Sequence, residues 1–115
     1  LEAILEDYDM IYTYAGHIGQ GSIRLIPLVN ISSKTADEII DLESRVNELV
    51  LAFRGSISVD HNDGIIRTPY LSQQYGEEMV ALFNQIKNIF DPYNVFNKGK
   101  KVHATIDFAR EHIDI

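Results

Sequence analysis

Two short segments combine residue types that can do acid–base, metal or anion chemistry. The first is Gly16-His17-Ile18-Gly19-Gln20-Gly21-Ser22-Ile23-Arg24, a histidine set in a glycine turn and followed by an arginine. Glycine lets backbone amides come close to a ligand, and a histidine there can act as base, metal ligand or hydrogen-bond donor. Glycines at this spacing also make an ordinary hairpin turn. The second segment is Gly55-Ser56-Ile57-Ser58-Val59-Asp60-His61-Asn62-Asp63-Gly64. Its adjacent carboxylate and imidazole can orient a general base or supply two metal ligands. Read plainly, Asn62-Asp63-Gly64 is turn chemistry in its own right. A third segment, Asp91-Pro92-Tyr93-Asn94-Val95-Phe96-Asn97-Lys98-Gly99-Lys100, stops a helix. Its Asn, Gly and Lys can also supply donors to an anionic or heteroaromatic ligand.

These segments need elements to position them. Met10 to Tyr14 is rich in β-branched and aromatic residues and reads as a strand. Ser22 to Asn30 reads as a second, with Ile23, Leu25 and Val29 on one face and Arg24, Ile26 and Leu28 on the other. Pro27 cannot donate to a ladder and is expected at an edge or bulge. Thr35-Ala36-Asp37-Glu38 fits a capping box that opens a helix. Its buried stripe is expected to be Ile39, Leu42, Val46, Leu49, Val50 and Phe53, with Arg54-Gly55 at its end. Ser56 to Ser58 is expected to form a third short strand, and residues 59–76 a functional loop. A second amphipathic helix, from Glu77 to Phe90, is expected to bury Met79, Leu82, Phe83, Ile86 and Phe90 before Asp91-Pro92 stops it. A short helix around Ile106 to His112 would close the chain. The fold class is therefore α+β: a small antiparallel sheet with two main helices on one face.

Composition sets the outer limits. A chain of 115 residues suits one domain, here with a lead-in over 1–9 and a tail over 102–115. A hydrophobic fraction of 45% and a charged fraction of 23% match folded proteins. A net charge of −7 excludes a general nucleic-acid binder, which needs a basic surface. The absence of cysteine excludes disulfides, thiolate metal sites and a cysteine nucleophile. No basic region followed by an apolar stretch marks a signal peptide, and the first residue is Leu1. Two helices and little sheet make a thin core, so a further domain of the same chain or self-association into a homo-oligomer is expected.

In order and spacing, the three segments resemble the C-terminal domain of FAD-linked oxidases. That group includes D-lactate, glycolate and D-2-hydroxyglutarate dehydrogenases of the vanillyl-alcohol-oxidase type. The family loop Gly-His-x-Gly-Asp-Gly-Asn-x-His stands here as Gly16 to Arg24. The family run Gly-Ser/Thr-Ile-Ser/Thr-Gly-Glu-His-Gly-x-Gly stands as Gly55 to Gly64. Arg67-Thr68-Pro69-Tyr70-Leu71, Tyr75-Gly76 and Asn97-Lys98-Gly99-Lys100 match its later motifs, and the resemblance covers residues 10–101.

The resemblance implies part of a ferredoxin-like substrate or cap domain of a longer flavoenzyme. Its FAD pyrophosphate-binding domain would lie upstream, outside this sequence. It implies oxidation of a small 2-hydroxyacid by hydride transfer to FAD, in a cytoplasmic protein or one peripheral to a membrane. His61 falls at the position of the family's base or substrate-binding histidine, and Asn97, Gly99 and Lys100 in the segment that lies against FAD. His17, Arg24 and Asp60 fall where metal-dependent members hold a divalent cation. Only His17 keeps the family residue, and arginine, permanently protonated, cannot replace a metal-binding imidazole. One His and one carboxylate fall short of three protein ligands, so a metal site is not expected. Arg24 is instead expected to bind the substrate carboxylate, with His17 and Asp60 beside it. The competing reading is a catalytically degenerate α+β module that serves assembly or partner binding.

Overall fold

The computed structural model describes residues 1–8, 10–28 and 33–113, with the backbone alone for 33–35. Helix α1 (Glu2–Leu5) leads to strands β1 (Ile11–His17) and β2 (Ser22–Leu28), joined by a 3₁₀ turn at Ile18–Gln20. The long helix α2 (Ser33–Ala52) follows. Short helices α3 (Gly64–Arg67) and α4 (Leu71–Tyr75) flank a 3₁₀ turn at Thr68–Tyr70. Then come α5 (Glu77–Phe90) and α6 (Ile106–Glu111). The class is α+β, as expected. Two strands alone do not define a ferredoxin-like sheet. No helix among the described residues is long and apolar enough to cross a membrane.

The hairpin departs from expectation at its tip. β1 extends through Ala15, Gly16 and His17, which the glycine pattern had put in the turn. The strands pair antiparallel, with His17 opposite Ser22, Ala15 opposite Arg24 and Tyr12 opposite Pro27. Gly16 explains the extension, because a Cβ there would come within 2.1 Å of the Ser22 carbonyl oxygen. Only glycine lets the chains close that tightly. In a two-stranded sheet both strands are edges, so Pro27 costs no inner ladder bond. Val29 and Asn30, the expected end of β2, lie outside the described residues. Helix α2 opens at Ser33, two residues before the Thr35 expected to cap it, so Thr35 lies within the first turn; its side chain is outside the described residues.

Helix α2 ends where Arg54-Gly55 predicts, by a Schellman motif. Gly55 N donates to Val50 O at 2.8 Å and Arg54 N to Leu51 O at 2.9 Å, with Arg54 in the left-handed region at φ 58°. Leu42 of its stripe is buried, but Phe53 is 82% exposed. The expected strand over Ser56–Ser58 does not form. Its donors go to side chains instead: Ile57 N to Gln74 Oε1 at 2.8 Å and Ser58 N to Ser56 Oγ at 3.2 Å. Residues 59–76, expected as a loop, are largely helical in α3, the 3₁₀ turn and α4. Tyr70 and Leu71 from this stretch enter the core beside Leu5, Ala36, Ile40, Leu42, Ile57, Val102 and Ala109.

α5 has the expected bounds but not the expected burial. Phe83 is half-buried, while Met79, Leu82, Ile86 and Phe90 are exposed, the last by 82%. The stripe is real but only partly covered: Tyr75 of α4 packs edge-on against Phe83, while Met79, Leu82 and Ile86 stay exposed. The molecule is accordingly extended, with a radius of gyration of 15.2 Å against about 13 Å for a compact chain of this length.

The end of α5 is fixed by charge. Asp91 accepts from Lys87 Nζ at 2.5 Å and from the backbone N–H groups of Val95 and Phe96, each at 2.9 Å. The Lys87 ammonium, helped by those amides, holds the Asp91 carboxyl down to about 2, from an ordinary 3.8. Its stabilising effect is complete above pH 3.8 and is lost as pH falls through about 2. Asp91→Asn should therefore lower the melting temperature at neutral pH and flatten its decline across this acidic window. Thermal unfolding at stepped pH checks this, and an unchanged acid limb would contradict it.

Candidate functional site

The hairpin register decides which side chains can meet. Ala15 faces Arg24 and His17 faces Ser22, and alternate residues of a strand share a face, so His17 and Arg24 lie on the same side of the hairpin. The second segment presents its pair from a tight turn. Asn62 N donates to Val59 O at 3.1 Å, and Asn62 takes the left-handed conformation at φ 57°. Asp60 and His61 are the two corner residues of that turn. Both loops of the sequence thus converge, forming two contacts.

In the first contact, a guanidinium nitrogen of Arg24 donates to His61 Nε2. In the second, His17 Nε2 lies 3.4 Å from Asp60 Oδ2. Arginine has donors only, so His61 Nε2 must supply the lone pair, and the proton of the neutral ring sits on Nδ1. Aspartate accepts only, so the N–H of His17 that faces it belongs on Nε2, leaving Nδ1 as lone pair. The His17 side chain is 65% exposed, so its ring is open to a reactant.

A second layer holds the His61 turn from behind. Arg67 donates to Asn62 O at 3.2 Å while its Nε lies 3.7 Å from Glu43 Oε1 on α2. Desolvation raises the Glu43 carboxyl above its ordinary value, against the opposing pull of the Arg67 charge and the Asn47 side chain. Asp63, almost fully buried, accepts from Ser58 Oγ and pairs with Lys101 Nζ at 2.6 Å. Lys101 N donates to Thr68 Oγ1 at 2.8 Å. Neither Arg67 nor Lys101 was singled out as a site residue in the sequence. Arg67 stands in a matching motif, but nothing there announced that it would bridge α2 and the His61 turn.

Asn97, Gly99 and Lys100 form a separate turn, closed by Lys100 N to Asn97 O at 3.2 Å. No hydrogen bond or ion pair among the described residues joins them to the histidine cluster. The link is indirect, through the neighbouring Lys101 and Asp63. Gly99 is required by its own surroundings, since a Cβ there would come within 2.2 Å of the Phe108 ring. Beside this turn Tyr93, Val95 and Phe96 are exposed.

Among the described residues no group of three His, Cys, Asp or Glu side chains could hold a metal ion. The third position is filled by Arg24, whose permanent positive charge opposes a cation there. The donor set does not fit a divalent metal.

The family described as FAD linked oxidases, C-terminal domain, matches residues 1–101. This chain belongs to that family. Among its relatives, a D-2-hydroxyglutarate dehydrogenase of Xanthomonas citri pv. viticola is 32% identical over 97 residues, 82% of this chain and 20% of that protein. The glycolate oxidase subunit GlcD of Bacillus subtilis is 28% identical over 98 residues, 84% of this chain and 21% of its own length. A D-lactate dehydrogenase of Archaeoglobus fulgidus is 29% identical over 99 residues, 86% of this chain and 22% of its own. The chain thus spans about a fifth of the length of these relatives. No solved structure matches it.

Glu43 yields a test of the layer behind the site. A carboxyl with a raised value stabilises the fold most when protonated, and that stability is lost as pH rises through the folded value. Glu43→Gln should therefore raise the melting temperature at pH above neutral, with the gain shrinking in acid. Melting curves at acidic and alkaline pH decide it; a lower melting temperature for the variant in alkali would contradict the assignment.

Proposed function

We propose that the chain supplies the substrate-side loops of an FAD-linked oxidoreductase that oxidises a 2-hydroxyacid. The observation that carries this reading is the convergence of the hairpin and the Asp60–His61 turn, through Arg24 with His61 and His17 with Asp60. That cluster holds what such a substrate requires: fixed donors for its carboxylate and an imidazole to take the hydroxyl proton. Arg24 supplies the positive charge where metal-dependent members of the family would use a cation.

The turn over Asn97 to Lys100 is the proposed flavin-facing segment. Its exposed neighbours Tyr93, Val95 and Phe96 offer apolar and aromatic surface, and Asn97 and Lys100 offer donors, which suits a ring system with one apolar and one polar edge. Bound FAD would supply the two-electron acceptor for the hydrogen on the hydroxyl-bearing carbon. The chain's residues bind the acid, orient it and accept its hydroxyl proton. The exposed stripe of α5 (Met79, Leu82, Ile86 and Ile89) is the proposed docking face for the FAD-binding part of the same polypeptide.

The experiment is anaerobic reduction of the full-length, FAD-loaded protein with D-lactate, glycolate or D-2-hydroxyglutarate. Bleaching of the visible flavin absorbance by at least one acid is expected. Arg24→Leu should raise KM for that acid by about tenfold or more, since it removes a charge-assisted pair to the carboxylate. Failure of all three acids to bleach the flavin would instead favour a degenerate module kept for assembly.

A further inference from the structure

The two histidines are not equivalent, and the difference lies in what each one faces. His61 meets a group that can only donate; His17 meets a group that can only accept. We infer that the site is divided into halves: His17, oriented by Asp60, is the proton acceptor, whereas His61, held by Arg24, is a hydrogen-bond donor to the substrate carboxylate. This assignment rests on the 2-hydroxyacid reading above and reverses the roles that the sequence motif suggests for the two rings.

Each ring's role is set by the lone pair on its ring nitrogens. A neutral imidazole has one. In His61 that lone pair is on Nε2 and is committed to the Arg24 guanidinium, so the ring presents Nδ1–H to its other side. Such a ring cannot take a proton without giving up Arg24, and a protonated ring beside a guanidinium would set two cations against one another. That Nδ1–H is a donor for an anion on the open side of the ring, while the guanidinium keeps its charge and further N–H groups beside Nε2. His17 has the opposite arrangement. Asp60 fixes Nε2 as the N–H position, which leaves the Nδ1 lone pair free. The carboxylate then stabilises the imidazolium that forms when the proton arrives, an orienting role carboxylates play for many basic histidines.

The step balances. The substrate O–H bond breaks, its proton forms a new N–H bond at His17 Nδ1, and the oxygen lone pair becomes the carbonyl of a 2-oxoacid. The carbon-bound hydrogen leaves with two electrons to FAD, the oxidant. Asp60 acts through the ring it holds and is a positioning residue, whereas Arg24 both holds His61 and offers its charge to the carboxylate.

Two measurements on the full-length FAD-loaded protein test the division. In anaerobic flavin reduction with whichever of D-lactate, glycolate or D-2-hydroxyglutarate serves as substrate, His17→Ala should lower the limiting rate by about 100-fold or more with KM little changed. Added imidazole should restore part of that rate. His61→Ala should chiefly raise KM, and imidazole should not rescue it; flavin content shows that each variant still folds. Independently of turnover, the ¹⁵N spectrum of histidine-labelled protein, assigned by loss of the His61 signal in His61→Gln, should show His61 protonated on Nδ1. Arg24→Leu should abolish that preference. Loss of rate rescued by imidazole in His61→Ala but not in His17→Ala would overturn the division, as would a His61 ring protonated on Nε2. If no acid reduces the wild-type flavin, both the function and the division fall. If an acid does so but the variant pattern is reversed, only the division falls.

Discussion

The arrangement depends on one buried carboxylate. Asp63 follows the Asp60–His61 turn directly, sits almost fully out of solvent, and holds Ser58 on one side and Lys101 on the other. A buried charge is costly unless paired and hydrogen-bonded, so Asp63 fixes the geometry of whatever satisfies it. Through Ser58 it ties down the start of the His61 turn. Through Lys101 it ties the last of the matching motifs, at the far end of the chain, to that same turn. Lys101 extends the junction, because its ammonium also lies 4.9 Å from the centre of the Phe83 ring and 5.5 Å from that of Tyr75. The Asp60–His61 turn and the proposed flavin-facing segment are therefore held from one point, although no hydrogen bond or ion pair among the described residues joins them directly.

That rigidity gives the Arg24 exchange its meaning. A divalent cation would draw lone pairs toward itself from three ligands. Arg24 takes one lone pair, that of His61, and leaves its other donors and its charge for an anion. The cluster is thus a pair of oppositely polarised imidazoles, each set by a partner with a single hydrogen-bonding character. The contacts need no residue outside the two loops, and the His61 side of the cluster is held in place by Asp63 and by Arg67 behind Asn62.

Much of this could be read from the residues. The family, the α+β class, the bounds of α5 and the end of α2 at Arg54-Gly55 were all legible, because capping chemistry, periodicity and motif order are local properties. Burial was not. The α5 stripe reads as a core face, but periodicity says only that one face is apolar and not what covers it. The strand expected at Ser56–Ser58 failed because Gln74, distant in sequence, takes its amide. Helical order in residues 64–75 was missed because short turns stapled by Thr68 and Asp63 carry no long period. Of the site, His17, Arg24, Asp60 and His61 could be named from sequence, but not their pairing. The pairing depends on hairpin register, which Gly16 sets through a backbone approach that no side-chain pattern shows. Lys101 stood just past the last motif and gave no signal of its own.

The most direct test of this account is the coupling between Asp63 and Lys101. In a double-mutant cycle with Asp63→Asn and Lys101→Met, followed by urea unfolding, the two changes should be strongly non-additive, with an interaction energy of about 1.5–3 kcal/mol. Additivity to within about 0.5 kcal/mol would show that the pair does not hold the two segments together, and the account of the site built on it would fail.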